Sequence, residues 1–186
     1  MPRYVIVDRD GTLIRHVPYL HEPSRVEVLP TVCEGLKALR SSGCLLFMHT
    51  NQSGIGRGYF KPADVDACNA EMLRQLGLGH DLFERICICP EIPNEQATFR
   101  KPSPRFGLEI LDVYRAKNAE LCYIGDSVVD LEAADNVGCS GFGVNTGLQD
   151  LPATLASRGL GHRFKVFPSF GDAANHVISL RQQPLT

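Results

Sequence analysis

The chain has 186 residues, 44% of them hydrophobic and 22% charged, with a formal net charge of -2 at pH 7. That length and composition fit a single globular domain, residues 1–186, with room for a sizeable core. A general nucleic-acid or membrane-surface role would show as a basic excess, and no apolar run nears the roughly 18 residues that span a bilayer. Taken in chain order, short apolar runs at residues 4–7, 45–48, 86–89 and 121–124 are too brief and too evenly apolar for amphipathic helices and read as buried parallel strands. Helical spacing lies between them. Val32, Leu36 and Leu39 share a face before Gly43, and Pro62 opens a segment with Val65, Cys68, Met72 and Leu76 before Gly77. Ser103 and Pro104 have the look of an N-cap and first turn, followed by Leu108, Leu111 and Tyr114. A fifth strand at residues 142–144, a sixth at 164–167 and a last helix at 173–180 complete a doubly wound α/β sheet, Rossmann-like, whose ligands sit beyond the carboxyl ends of the strands. The longest irregular piece is residues 91–99. The opening MPRYVIVD lacks the apolar stretch of a secretory signal, and the seven cysteines are odd in number, several of them inside apolar runs. The chain therefore reads as cytoplasmic, with reduced thiols.

Each strand delivers polar residues where its apolar run stops. The first gives Asp8 and Asp10, the second Thr50, Asn51 and Ser53, and the fourth Gly125, Asp126 and Asp130; Arg100 and Lys101 come just ahead of Ser103. In a doubly wound sheet these converge on one edge. Crowded carboxylates repel unless a cation sits among them, and oxygen ligands suit a hard divalent ion, magnesium, which shares its shell with phosphate oxygens. Hydroxyl and amide donors, backbone N–H groups at Gly11 and Gly54, and a fixed lysine charge suit a phosphoryl group. The opening pair then divides the cleavage of a phosphomonoester. Asp8 is the nucleophile and forms an aspartyl-phosphate. Asp10 protonates the departing alkoxide and afterwards takes a proton from the hydrolytic water. Lys101 and the metal hold Asp8 ionised and offset charge on the transferred group.

The stretches DRDGT, TNQSG, RKP and GDSVVD, in this order, resemble the four motifs of the haloacid dehalogenase superfamily of phosphatases, over residues 4–147. Within it, DRDGTLI, YLHEP, TNQSGIGRG, RKPSP and NTG are most similar to the D-glycero-D-manno-heptose 1,7-bisphosphate phosphatases, with histidinol-phosphate phosphatases as close relatives. The resemblance implies Asp8 as nucleophile, Asp10 as acid and base, and magnesium on Asp8, Asp126 and the Asp10 carbonyl. It puts Thr50 and Lys101 on the phosphoryl group, and Arg100 in substrate selection. Arg9, His16, Tyr19, Asn51, Gln52 and Ser53 join Arg100 as candidate substrate-binding residues. The intervals between motifs leave no room for a separate cap domain, so specificity falls to loops or to a partner subunit.

Many relatives carry a zinc-binding loop with a cysteine and a histidine at its start and Cys-x-Cys before RKP. Here Cys89 alone matches, Glu91 stands in the histidine's place and ATF replaces Cys-x-Cys. A tetrahedral zinc site needs four N or S ligands, so no structural zinc is expected. Bland readings stand beside the sharp ones: Cys87 and Cys89 as buried strand thiols, His49 as a packed histidine, Arg57 as solvated or facing a second phosphate, and Asp130 as a helix cap or an indirect metal partner. The expected partner is a small phosphorylated substrate, a sugar phosphate, with no membrane and no nucleic acid, acting on a monomer or weak homo-oligomer. The alternatives are histidinol phosphate, a polynucleotide 3'-phosphate, and a phosphoacceptor signalling domain. The last places its aspartate at the third strand, where this chain reads CICPE.

Overall fold

Four apolar residues in a row, Tyr4-Val-Ile-Val, are buried on both faces, as the middle of a parallel sheet requires. The computed structural model describes residues 2–93 and 98–182, with the side chains of Arg181 and Gln182 left out. Its strands are β1 (Tyr4–Val7), β2 (Leu45–Asn51), β3 (Arg85–Cys89), β4 (Leu121–Gly125), β5 (Ser140–Val144) and β6 (Lys165–Phe167). They pair in the order β3-β2-β1-β4-β5-β6, all parallel, with Val5 opposite Leu46 on one side and Cys122 on the other. The chain moves outward from β1 through β2 to β3, then crosses back to β4. The strand order therefore reverses between β1 and β4, and the crevice beyond their carboxyl ends is where such sheets take ligands.

The helices are α1 (Val32–Ser41), α2 (Ser53–Gly56), α3 (Pro62–Leu76), α4 (Arg105–Val113), α5 (Val128–Val137), α6 (Leu151–Ser157) and α7 (Phe170–Gln182). On one face of the sheet, Val5, Val7, Leu46 and Met48 pack against α1, α3 and α7; on the other, Ile6, Phe47, Cys89 and Tyr123 pack against α4 and α5. In α1, Val32, Leu36 and Leu39 recur at helical spacing and are buried. Each such side chain stabilises the fold by about 1.5–3 kcal/mol relative to exposure. No helix among the described residues is long and apolar enough to cross a membrane.

Several elements depart from the sequence reading. β2 continues past its apolar run through His49, Thr50 and Asn51, because β3 pairs with it as far as Asn51 opposite Cys89. Helix α4 starts at Arg105 with Pro104 at the N-cap position, one residue later than the Ser103 cap predicts; the Ser103 hydroxyl still accepts from the Arg105 N–H at 3.3 Å while donating to the Thr98 carbonyl. Leu108 is exposed, since α4 buries Phe106, Gly107, Ile110 and Leu111. The sixth strand begins at Lys165, after Phe164. Helices α2 and α6 are too short for periodicity to reveal, although Asp150 caps α6 by accepting from the Ala153 N–H. Of the loop expected at residues 91–99, residues 94–97 lie outside the described residues.

Candidate active site

Asp8 follows β1 directly and Asp126 follows β4, so the switch point brings two carboxylates face to face without any folding of loops. The backbone N–H of Asp8 donates to Ile124 O (2.9 Å), which ties the two strand ends together. Lys101 reaches between them. Its Nζ lies 2.5 Å from Asp8 Oδ1 and 2.6 Å from Asp130 Oδ1, and also donates to the His49 carbonyl at 2.7 Å. Asp130 thus serves two ends, because its Oδ2 accepts from the backbone N–H and the hydroxyl of Ser127 at the start of α5.

Carboxylate oxygens of Asp8, Asp126 and Asp130 lie within 4.8 Å of one another. One ammonium does not offset three carboxylates. Burial, with Asp130 and Asp10 adding repulsion against the opposing pull of Lys101, pushes Asp8 up to about 7. Burial and the neighbouring Asp8 and Asp130 push Asp126 up to about 9. In Lys101 the cost of burial is outweighed by Asp130 and Asp8, which raise its pKa and keep it charged. Room around Asp126 is kept open by Gly11, at a φ of 90°, and by Gly147: a Cβ on either would run into the carboxylate. The loop bearing Gly147 is tied down by the Thr146 hydroxyl, which donates to Gly11 O at 2.6 Å, and Thr12 donates to Asp126 Oδ1 at 3.3 Å. An oxygen-lined pocket of excess negative charge fits a hard divalent cation, and Asp8 and Asp126 could hold one.

Asp10 sits in a cage of donors. Gln52 Nε2 donates to its Oδ2 at 2.8 Å, Thr50 Oγ1 to the same oxygen at 3.2 Å, and Arg9 through Nε and Nη2 at 3.1 and 3.0 Å. Arg9 is fully buried, and its Nη1 donates to Asn69 Oδ1 of α3 at 2.9 Å. The guanidinium is therefore turned inward to Asp10 rather than out to a substrate, which corrects its expected place among the binding residues. Gln52, also expected to touch substrate, is buried and committed to Asp10 and to Thr50 Oγ1 (2.8 Å). Asn51 is half-buried and bonded within the chain: its side chain accepts from the Lys101 N–H at 3.0 Å and donates to the Lys101 carbonyl at 3.2 Å. These three hold the catalytic candidates in position.

Ser53 opens α2 and is half-buried. Arg100 is half-buried, with Nη1 on Glu91 O at 3.0 Å; burial lowers its pKa, and the nearby charge of Arg57 lowers it further, with Cys89 and Glu91 opposing. The Glu91 carboxylate gathers the backbone N–H groups of Thr98, Phe99 and Arg100 at 2.7 to 3.1 Å. A side chain that reads as a lost metal ligand is a loop clamp. His16 is half-buried on the loop after β1, and Tyr19 farther along it is 47% exposed. The Tyr19 ring meets that of Tyr59, itself 58% exposed, edge to face at 4.9 Å, and beside them His21 stacks on Phe60. Asn69, Tyr59 and the clamp role of Glu91 carry no motif, although Asn69 left a trace as a polar residue on the buried face of α3; Thr12 closes the DRDGT stretch, where nothing singled it out.

Residues 22–138 match the family of haloacid dehalogenase-like hydrolases. The chain belongs to that family. This haloacid dehalogenase-like hydrolase is 29% identical over 177 residues, 95% of its length and 98% of the relative's, to the D-glycero-beta-D-manno-heptose-1,7-bisphosphate 7-phosphatase of Bordetella bronchiseptica. It is 31% identical over 144 residues, 77% of its length and 81% of the relative's, to the Pseudomonas aeruginosa protein of the same name. Its fold matches the crystal structure of D,D-heptose 1,7-bisphosphate phosphatase from B. bronchiseptica complexed with magnesium and phosphate, with a TM-score of 0.85 at 29% identity, over 97% and 99% of the two chains. The haloacid dehalogenase-like hydrolase described here is a phosphatase.

Proposed function

We propose that this phosphatase removes the C7 phosphate of a heptose 1,7-bisphosphate through an aspartyl-phosphate on Asp8. The observation that carries the reading is the meeting of Asp8, Lys101 and Asp126 at the β1–β4 switch point beside a caged Asp10, in a chain alike end to end to phosphatases named for that substrate. Magnesium, held by Asp8, Asp126 and the Asp10 carbonyl, would supply positive charge beside the phosphoryl oxygens. The Asp8 carboxylate attacks phosphorus while Asp10 gives its proton to the departing sugar oxygen. Asp10, now a carboxylate, takes a proton from the water that cleaves the aspartyl-phosphate, and Asp8 is regenerated. Thr50 and Lys101 hold the phosphoryl oxygens through donors already fixed by Asp10 and Asp8. Arg100, with Arg57 near it, would receive the second phosphate, and His16, Tyr19 and Ser53 would line the path of the sugar.

The test is a turnover panel of heptose 1,7-bisphosphate, histidinol phosphate and a 3'-phosphorylated oligonucleotide, with magnesium and with a chelator. The heptose bisphosphate should be hydrolysed best, only with the metal. Preference for either other substrate overturns the assignment.

A further inference from the structure

One cluster of metal-binding side chains takes no part in that chemistry. His49 on β2 lies opposite Cys87 on β3 in the parallel register, and Cys87 and Cys89, two residues apart, point to the same side of the sheet. The strand pairing itself thus gathers an imidazole and two thiols into the interior, and their ligand atoms all lie within 4.8 Å of one another. Cys87 Sγ is 3.7 Å from Cys89 Sγ, and Cys89 Sγ is 3.4 Å from His49 Nε2. Zinc bound tetrahedrally at about 2.3 Å from sulfur and about 2.0 Å from nitrogen separates two sulfurs by about 3.8 Å and sulfur from nitrogen by about 3.5 Å. The two measured edges are those of a zinc coordination sphere.

We propose that His49, Cys87 and Cys89 form a binding site for a thiophilic divalent ion such as zinc, separate from the acidic crevice. The Phe99 carbonyl oxygen, which accepts a hydrogen bond from His49 Nε2 at 2.9 Å, lies beside the ion once that nitrogen gives up its proton to bind. Two thiolates balance the charge of the ion, so a neutral unit forms in the interior, where an unpaired charge would be costly. Burial, helped by the charge of Lys101, keeps His49 in the neutral form that ligates, lowering its pKa to about 3. Ligand type sorts the ions: sulfur and imidazole take zinc, and the all-oxygen crevice takes magnesium. The expectation of no structural zinc considered residues 89–101, which hold Cys89 alone; the other ligands come from the body of two neighbouring strands. An ion there would pin Phe99, two residues ahead of Lys101, to β2 and β3.

The experiment titrates the full-length protein, reduced with a non-thiol reductant, with cobalt(II), and measures zinc by elemental analysis after growth in zinc-supplemented medium. One cobalt per chain should produce thiolate-to-metal charge-transfer absorption in the near ultraviolet and strong tetrahedral bands in the visible, both abolished by added zinc. Cys87→Ser and His49→Gln should each weaken cobalt binding about tenfold or more, and Asp126→Asn should leave the bands intact. Cobalt in the oxygen-lined crevice gives no thiolate band, so this outcome is independent of the phosphatase assignment. Wild-type protein that shows no thiolate band and retains no zinc overturns the proposal, as does a band that survives in Cys87→Ser.

Discussion

The strand-end crevice and its rim are built in opposite ways. In the crevice, Asp10 and Lys101 each have two or more internal partners, Asp8 is held by Lys101, and the two aspartates follow closely on the buried strand β1. At the rim, Tyr19 and Tyr59 are exposed and meet chiefly each other, and one carboxylate, Glu91, gathers the backbone ahead of Arg100. Rigid placement suits groups that meet a transition state, where small misplacements are expensive. Selecting a sugar needs surface that can vary without disturbing the core. Substitutions in the crevice should therefore act on kcat, and those at the rim on KM.

The comparison is broken most severely by Asp8→Asn, which should lower kcat about 10⁴-fold or more while leaving substrate binding measurable by calorimetry. Retained turnover would remove the nucleophile assignment. Asn69→Ala frees the buried Arg9 from its hydrogen-bond partner on α3; kcat should fall about 10-fold with KM unchanged, and the acid and base limbs of the pH–rate profile should shift as Asp10 loses its fixed partner. A change in KM alone would assign Asn69 to binding. Proton linkage offers a third test. Asp8 at about 7 and Asp126 at about 9 lie above the value of about 4 that carboxyls have in an unfolded chain. The folded chain then holds protons the unfolded one has released, so the contribution of these two groups to stability is full below about pH 4 and declines as pH rises through 7 and 9. Thermal melts in chelator should show Tm falling across that window, and magnesium should restore more of it at pH 9 than at pH 5. A flat Tm would mean the acidic trio is paired differently.

The rim supplies the smaller effects. Glu91→Gln keeps the shape but weakens charge-assisted bonds to three N–H groups, at a cost of about 1–2 kcal/mol to the loop. KM for the bisphosphate should rise several-fold with kcat within a factor of about two. Tyr59→Ala should be smaller still, raising KM about twofold and leaving Tm unmoved, as suits an exposed ring. Kinetics of these two variants that matched the crevice variants would erase the distinction.

Much of the crevice was legible because its signal is local: an apolar run that ends in carboxylates states both the strand and what it delivers. Asp8, Asp10 and Asp126 needed nothing more. Direction was harder. Nothing in TNQ tells whether an amide after a strand turns outward to a ligand or inward to a neighbour, and both Asn51 and Gln52 turn inward. Arg9 shares that ambiguity, since its partner Asn69 is 60 residues away in sequence. The role of Glu91 went unseen for a different reason: matching residues against a metal-binding loop asks which ligands are missing, and a carboxylate that collects backbone N–H groups is invisible to that question. Leu108 illustrates the limit of spacing in a short helix, where one step of phase separates the buried face from solvent.

Asn51 grips Lys101 by its peptide group, through N–H and carbonyl together, and so is indifferent to the side chains that precede it. Such a hook makes the lysine's register independent of whatever sequence is spliced in ahead of Arg100. Side chains upstream can then be exchanged without loosening this hook, a socket into which an engineer can plug new substrate preferences while the hydrolytic core runs unchanged.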